Sequence, residues 1–336
     1  MIDSVTSSLP TVSLAVFVVS AVVALAASAL LIVRLERIGA RLSLSEAALG
    51  LLAALAADLP EISTAITALL QGQNDVGIGV ILGSNVAKLA LLLGLAAIVA
   101  RRIVLDRRVV LLETVVAVGL ALVTLAVVSE RVAPIPGLAV ALLVFGPYVA
   151  LSVMRPAARS RLPIPARLRG TLTSAITQEE SDLDLHPGRG GRIDVAVAAL
   201  LLIVVVGSSV ALERSGTDIG TAWELPDVVV GAVLLAIVTS IPNAVAAIYL
   251  ARKGRGAATL STTTNSNNIN VVVGLLIPAA FLGLGTVTSS ALLTAWWYVG
   301  LTAVTLAWAF VRRGLRLVDG VVIAVAYALF VVVLLR

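Results

Sequence analysis

Apolar residues fill this chain in long blocks rather than in the short alternating or helical rhythms of a soluble domain. Ten blocks can be drawn, at about 11–33, 43–70, 75–100, 109–129, 134–154, 193–212, 227–251, 257–284, 288–311 and 317–335. Each is long enough to cross a bilayer, which takes roughly 20 helical residues. The connections between them are short and polar, apart from a long one at 155–192. The pattern predicts an all-α integral membrane protein of ten transmembrane helices. It divides into a first five-helix half, 1–154, the 155–192 connection, and a second half, 193–336. Five is an odd number, so the second half enters the membrane from the opposite side, and the halves read as inverted repeats.

The charges give this plan a direction. Of the 24 Lys and Arg residues, 20 fall in the odd-numbered connections, and Arg131, Arg214 and Arg336 fall on the other side. Such a bias is expected when the basic connections are cytoplasmic. It places both termini outside a cell membrane and the 155–192 connection in the cytoplasm. Residues 1–10 hold Asp3 and no Lys or Arg, so the first apolar block reads as a retained span and not a cleaved signal.

Composition then removes whole classes of function. Hydrophobic residues make up 60% of the 336 and charged residues 13%, a balance no soluble domain of this size shows. The net charge of +5 is accounted for by topology, so no nucleic-acid partner is implied; the expected partners are the lipid bilayer and inorganic cations. There is no cysteine, which excludes disulfides, thiolate chemistry and iron–sulfur clusters. The single histidine, His186, lies in the polar connection, so a His-rich metal site is excluded. Without Cys, a membrane His or a His-Glu motif, an intramembrane hydrolase lacks its nucleophile and ligands, and the chain is not expected to be an enzyme. No cofactor is implied beyond transported cations, and oligomeric state is not legible.

One motif occurs twice, 182 residues apart. Ala57-Asp58-Leu59-Pro60-Glu61 corresponds to Thr239-Ser240-Ile241-Pro242-Asn243, and Gly83-Ser84-Asn85-Val86-Ala87-Lys88 to Asn265-Ser266-Asn267-Asn268-Ile269-Asn270. Pro60 and Pro242 are helix-breaking positions inside apolar blocks, and they free the carbonyls of Ala56 and Val238 for a cation or a polar neighbour. Asp58 and Glu61 are three residues apart on one helix face, with hard oxygens suited to Na⁺, Ca²⁺ or a proton. Lys88 is a basic partner for them, as a switch or as a fixed brace. Their second-half counterparts Ser240, Asn243 and Asn270 are neutral. The polar run 259–270 is too hydrophilic to face lipid and must pack inward. Elsewhere, Glu179, Glu180, Asp182 and Asp184 read as a solvated acidic loop, and Glu113 reads as lying near the interface. Trp223 and Trp308 read as interfacial anchors, with Trp296 and Trp297 placed deeper.

These residues resemble the two alpha repeats of the sodium/calcium exchanger family of cation/Ca²⁺ antiporters, here about 50–95 and 232–275. The resemblance implies the ten-helix inverted-repeat fold and alternating access, with the first helices sliding past a core made by both repeats. It implies an ion site at the midplane, with Glu61, Asn243 and Asn270 at metal-ligand positions and Ser84, Asn85 and Asn267 in the Gly-Ser-Asn segments. The chain departs from the family pattern where Asn243 replaces an acid, Asp58 replaces a serine and Lys88 stands at a ligand position. With all three ionised groups counted, the site carries −1, and an ammonium there opposes a divalent ion. The expectation is a secondary-active cation antiporter of this family with altered selectivity. Na⁺ against Ca²⁺ and a monovalent cation against H⁺ both stay open, as does a transport-inactive scaffold or sensor of the same fold.

Overall fold

The structure is a computed structural model that describes residues 2–42, 44–154, 156–183, 188 and 190–336. Arg155, Asp184, His186 and Arg189 lie outside the described residues, as does the side chain of Pro242. Apolar blocks of this length become helices because a helix satisfies its own backbone where no water is available.

The first half supplies α1 (Ile2–Arg41), α2 (Glu46–Leu70), α3 (Asn74–Ala100), α4 (Arg107–Val128) and α5 (Pro134–Val153). The second half supplies α7 (Arg192–Ala222), α8 (Asp227–Arg252), α9 (Gly256–Leu282), α10 (Ser289–Arg312) and α11 (Leu317–Leu334). Among the described residues, nine helices are long and apolar enough to cross a membrane. The tenth, α8, is two pieces, Asp227–Ile241 and Asn243–Arg252, meeting at 52°. Polar side chains fix several starts: Ser45 caps the Ala48 amide at 3.1 Å and Asp106 caps Arg108 at 2.7 Å.

Backbone irregularities repeat at the 182-residue offset of the motif. Gly72 and Gly254 carry the positive φ of the α2–α3 and α8–α9 turns, at 76° and 75°. Helix α3 loosens into a π turn at Leu89–Gly94 directly after Lys88, and α9 does so at Asn270–Leu276. Arg101 and Gly283, also 182 apart, end these helices at φ 63° and 75°. Such π turns recur at functional sites.

Helices α3 and α9 are buried along nearly all their length and form the centre, with α2 and α8 crossing them. Helices α1 and α7 pack along each other at the periphery. They run to Arg41 and Ala222, beyond the predicted 33 and 212, because each continues past the apolar region while still supported by the other; Arg34 of α1 reaches Asp194 of α7 at 2.8 Å. Where α3 meets α8 the backbones nearly touch. A Cβ on Gly83 would stand 2.2 Å from the Ala232 Cα, so glycine is what permits the approach. Two three-residue strands, β1 (Arg102–Val104) and β2 (Gly314–Arg316), pair antiparallel and join the α3–α4 turn to the α10–α11 turn.

The 155–192 connection corrects an expectation. Instead of a solvated acidic loop it contains α6 (Ala166–Leu183), packed against α2, α4 and α9. Glu179 is 1% exposed. Glu180 pairs with the buried Arg159 guanidinium at 2.5 Å, and Asp182 accepts from the Ala257 amide at 2.8 Å, at the positive end of α9. Glu113, near the start of α4, is likewise fully buried and points into the bundle, where Tyr148 and Thr264 meet it. Trp223 is exposed at the end of α7, and Trp308 lies under the Arg312 guanidinium at 5.0 Å. Trp297 packs on Phe330, whereas Trp296 is 52% exposed.

Candidate functional site

Pro60 sits inside an unbroken α2, so its cost falls on one carbonyl, that of Ala56. Ser28 of α1 donates to that oxygen at 2.5 Å. The polar neighbour needed there is therefore a hydroxyl from α1. With α2 intact, Asp58 and Glu61 project from one face towards α3 and α8, and both are fully buried.

Lys88, also fully buried, reaches back from the last α-helical turn of α3 before its π turn. Its Nζ is 2.8 Å from Asp58 Oδ1 and 2.8 Å from Glu61 Oε2. The second repeat closes the cluster. Asn243 Nδ2 donates to Asp58 Oδ1 at 2.6 Å and the Ser240 hydroxyl lies 2.9 Å from Glu61 Oε1. These two contacts are counterparts: Asp58 and Ser240 are equivalent positions, and so are Glu61 and Asn243, so each repeat makes the same cross-contact to the other. Ser266 of α9 adds a third donor to Asp58 Oδ1 at 2.8 Å.

A neutral cluster lies where α3 crosses α9. Asn85 Nδ2 donates to the Asn267 carbonyl at 3.1 Å, and Asn267 Nδ2 returns the bond to the Asn85 carbonyl at 3.2 Å. Reciprocity between residues 182 apart is what a two-fold relation through this point produces. Asn270 Nδ2 lies 3.2 Å from both Ser84 Oγ and Asn85 Oδ1. All nine sequence-predicted polar site residues thus converge on these two clusters.

Ser266 is the contributor that sequence reading did not single out as a site residue. The signal was present, because Ser266 is the 182-residue counterpart of Ser84, but only the fold shows that it turns towards Asp58.

The electrostatics are set by one cation among two carboxylates. At an effective dielectric near 20, opposite charges about 4 Å apart attract by about 4 kcal/mol, so two such contacts hold the ammonium firmly. The Lys88 ammonium is the cation that sits between these carboxylates. Oxygens are nevertheless left over: Asp58 Oδ2, Asn267 Oδ1 and Asn270 Oδ1 are buried without a partner among the described residues. Buried acceptors are normally satisfied, and hard oxygens of this kind suit a small cation or water. A cavity of about 330 Å³ leads towards the cluster, from Leu183 and Arg255 past Gly50 and Ala246 to Asn243.

The chain matches the sodium/calcium exchanger protein model over residues 12–154 and 193–336, both halves without the α6 connection. Inner membrane protein YrbG of Escherichia coli is 28% identical over 225 residues, 66% of this chain and 65% of that protein. The sodium/calcium exchanger MaX1 of Methanosarcina acetivorans is 28% identical over 131 residues, 39% of this chain and 37% of that protein. Sodium/potassium/calcium exchanger 4 of Mus musculus is 42% identical over 62 residues, 18% of this chain, and the match spans a tenth of the mouse protein (10%). Among solved structures, the sodium-calcium exchanger NCX_Mj soaked with 100 mM Na⁺ and 10 mM Sr²⁺ superposes with a TM-score of 0.62 at 18% identity, covering 96% of this chain and 98% of that one. The H⁺/Ca²⁺ exchanger CAX gives 0.65 at 15% identity, covering 98% and 90%. At these identities the likeness concerns the fold. With the model matching both halves of a multi-pass helical membrane protein, the chain belongs to the sodium/calcium exchanger family.

Proposed function

We propose that the chain is a secondary-active cation antiporter in which the Lys88 ammonium competes with the transported cation for Asp58 and Glu61. The observation that carries this reading is the placement of Nζ 2.8 Å from both carboxylates, at full burial. A monovalent cation arriving at the carboxylates displaces the ammonium, and Lys88 releases one proton to the cavity. Return of the proton expels the cation. The cluster keeps its charge throughout, so the exchange is one for one. A divalent ion gains less here, because it meets one net negative charge and must displace a cation already held by two contacts.

The cavity from Leu183 and Arg255 to Asn243 supports access from the arginine-rich face that carries α6. The positive-inside bias makes that face cytoplasmic, with both termini outside. The unpartnered oxygens of Asp58, Asn267 and Asn270 favour a second reading, in which Na⁺ or Ca²⁺ binds beside the ammonium without replacing it.

Reconstituted vesicles with an internal pH dye separate the readings. Imposed Na⁺, K⁺ or Li⁺ gradients should move protons in the opposite direction, and Lys88→Asn should abolish that coupling. Calcium-driven Na⁺ flux without proton movement would favour the second reading. No flux of any ion would leave a scaffold or sensor of the same fold.

A further inference from the structure

Away from the central cluster, five buried polar side chains from four elements form one group centred on a phenol. Glu113 comes from α4, Tyr148 from α5, Glu179 from α6, and Thr264 and Asn265 from α9. Tyr148 Oη lies 3.2 Å from Glu113 Oε1 and 3.1 Å from Glu179 Oε2, and it accepts from Asn265 Nδ2 at 2.8 Å. Thr264 donates to the other oxygen of Glu113. The exposure of Glu113 is 0%, of Glu179 1% and of Tyr148 2%.

The protons do not add up when both carboxylates are ionised. A phenol has one hydrogen, and two carboxylate oxygens lie within bonding distance of it. One of those oxygen–oxygen contacts must then lack a proton. Glu179 Oε1 and Asn265 Oδ1 have no donor at all among the described residues, although Asn265 is only 7% exposed. Among the described residues, no basic side chain bonds to either carboxylate. Arg159 is engaged by Glu180, and Arg108 of α4 by Ser174 at 3.2 Å. Arg255 reaches the Leu183 carbonyl at 3.5 Å. From α2, Asp58 and Glu61 are held by Lys88; α9 contributes no charge; and Asp182 of α6 itself is turned to the Ala257 amide.

We propose that Glu113 and Glu179 bind one proton between them, and that this shared proton docks α6 onto the membrane helices. A proton on one carboxyl supplies the missing hydrogen and reduces the pair from −2 to −1. Burial, and then the neighbouring Glu113 charge, push the Glu179 carboxyl well above its usual range, as such an arrangement requires. The docked state binds a proton that the released helix does not hold. Its stability is therefore complete below the ordinary carboxylate titration and is lost as pH rises through the raised value.

Leu183, at the end of α6, lines the cavity that leads to Asn243, so release of α6 widens the approach to the central cluster. This inference needs no assumption about which ion is carried. It stands if the antiport reading fails.

The test is hydrogen–deuterium exchange of the full chain in nanodiscs, with rates divided by the intrinsic rate at each pH. Residues 166–183 should be protected at about pH 6 and lose protection on the way to about pH 9, by up to about tenfold per unit between the ordinary carboxylate titration and the raised one and no further beyond it, the slope of a single proton. Glu179→Gln and Glu113→Gln imitate the protonated carboxyl, and each should keep α6 protected across the range. Protection of α4 and α9 reports whether a variant is folded. If Glu113→Gln fails that control, Glu179→Gln decides alone. Protection of α6 that does not change with pH in the native chain would overturn the proposal, as would an unaltered pH dependence in Glu179→Gln.

Discussion

Lys88 is the residue on which this member of the family turns. Its ammonium is counter-ion to two carboxylates that would otherwise be buried beside each other with only hydroxyl and amide donors. Removing one partner of a buried ion pair typically costs about 3–5 kcal/mol, because the other charge is left uncompensated. Lys88→Met should therefore lower the thermal unfolding temperature markedly in cation-free buffer. Added cation should then restore part of the loss, by about 2.7 kcal/mol at a hundredfold excess over Kd. A variant that is destabilised yet indifferent to Na⁺ and Ca²⁺ would show that the carboxylates cannot seat a metal at all. The candidate residues were legible because the motif repeats with fixed spacing. What stayed hidden was direction, since no spacing rule says that Ser266 meets Asp58 while its counterpart Ser84 meets Asn270.

Helices that cross at the site do so at backbone contact, and this sets a sharper limit on sequence than apolarity does. Gly83→Val would drive a side chain into Ala232, whereas Gly207 of α7 has nothing within 4 Å of an added Cβ. Overpacking of a tight core costs about 1–3 kcal/mol, so Gly83→Val should lower stability by at least that amount and disturb the α3–α8 crossing. Gly207→Ala should be neutral or stabilising by up to about 1 kcal/mol, from helix propensity alone. Thermal unfolding of the two variants side by side gives the comparison. The ten spans could be read from the sequence because lipid rewards uninterrupted apolarity, which is a local property. Helix α6 could not, because it is polar and charged and is held by distant partners such as Tyr148 and the Ala257 amide. The 52° bend of α8 was foreshadowed by Pro242, yet α2 carries Pro60 and remains one helix, so proline alone does not specify a break.

Across the whole molecule, the two faces are closed to different degrees. On one side the cavity reaches Asn243 from Arg255; on the other, the α2–α3 turn is tied to α7, with Gln71 3.4 Å from Glu213 and Thr217 3.4 Å from Gln73. The chain has no cysteine, so a single introduced thiol reports without background. Ala246→Cys, in the cavity wall, should react with a membrane-impermeant thiol reagent applied from the α6 face and resist it from the other. Labelling from the opposite face alone would mean that the resting conformation opens the other way. The short ladder between β1 and β2 has a mechanical consequence for any such change of opening. It clasps the turn after α3 to the turn before α11, so α3 and α4 of the first half are hooped to α10 and α11 of the second like the staves of a cask. Helices α1 and α7 lie outside that hoop and against each other, so a shift of this pair would not have to break the ladder.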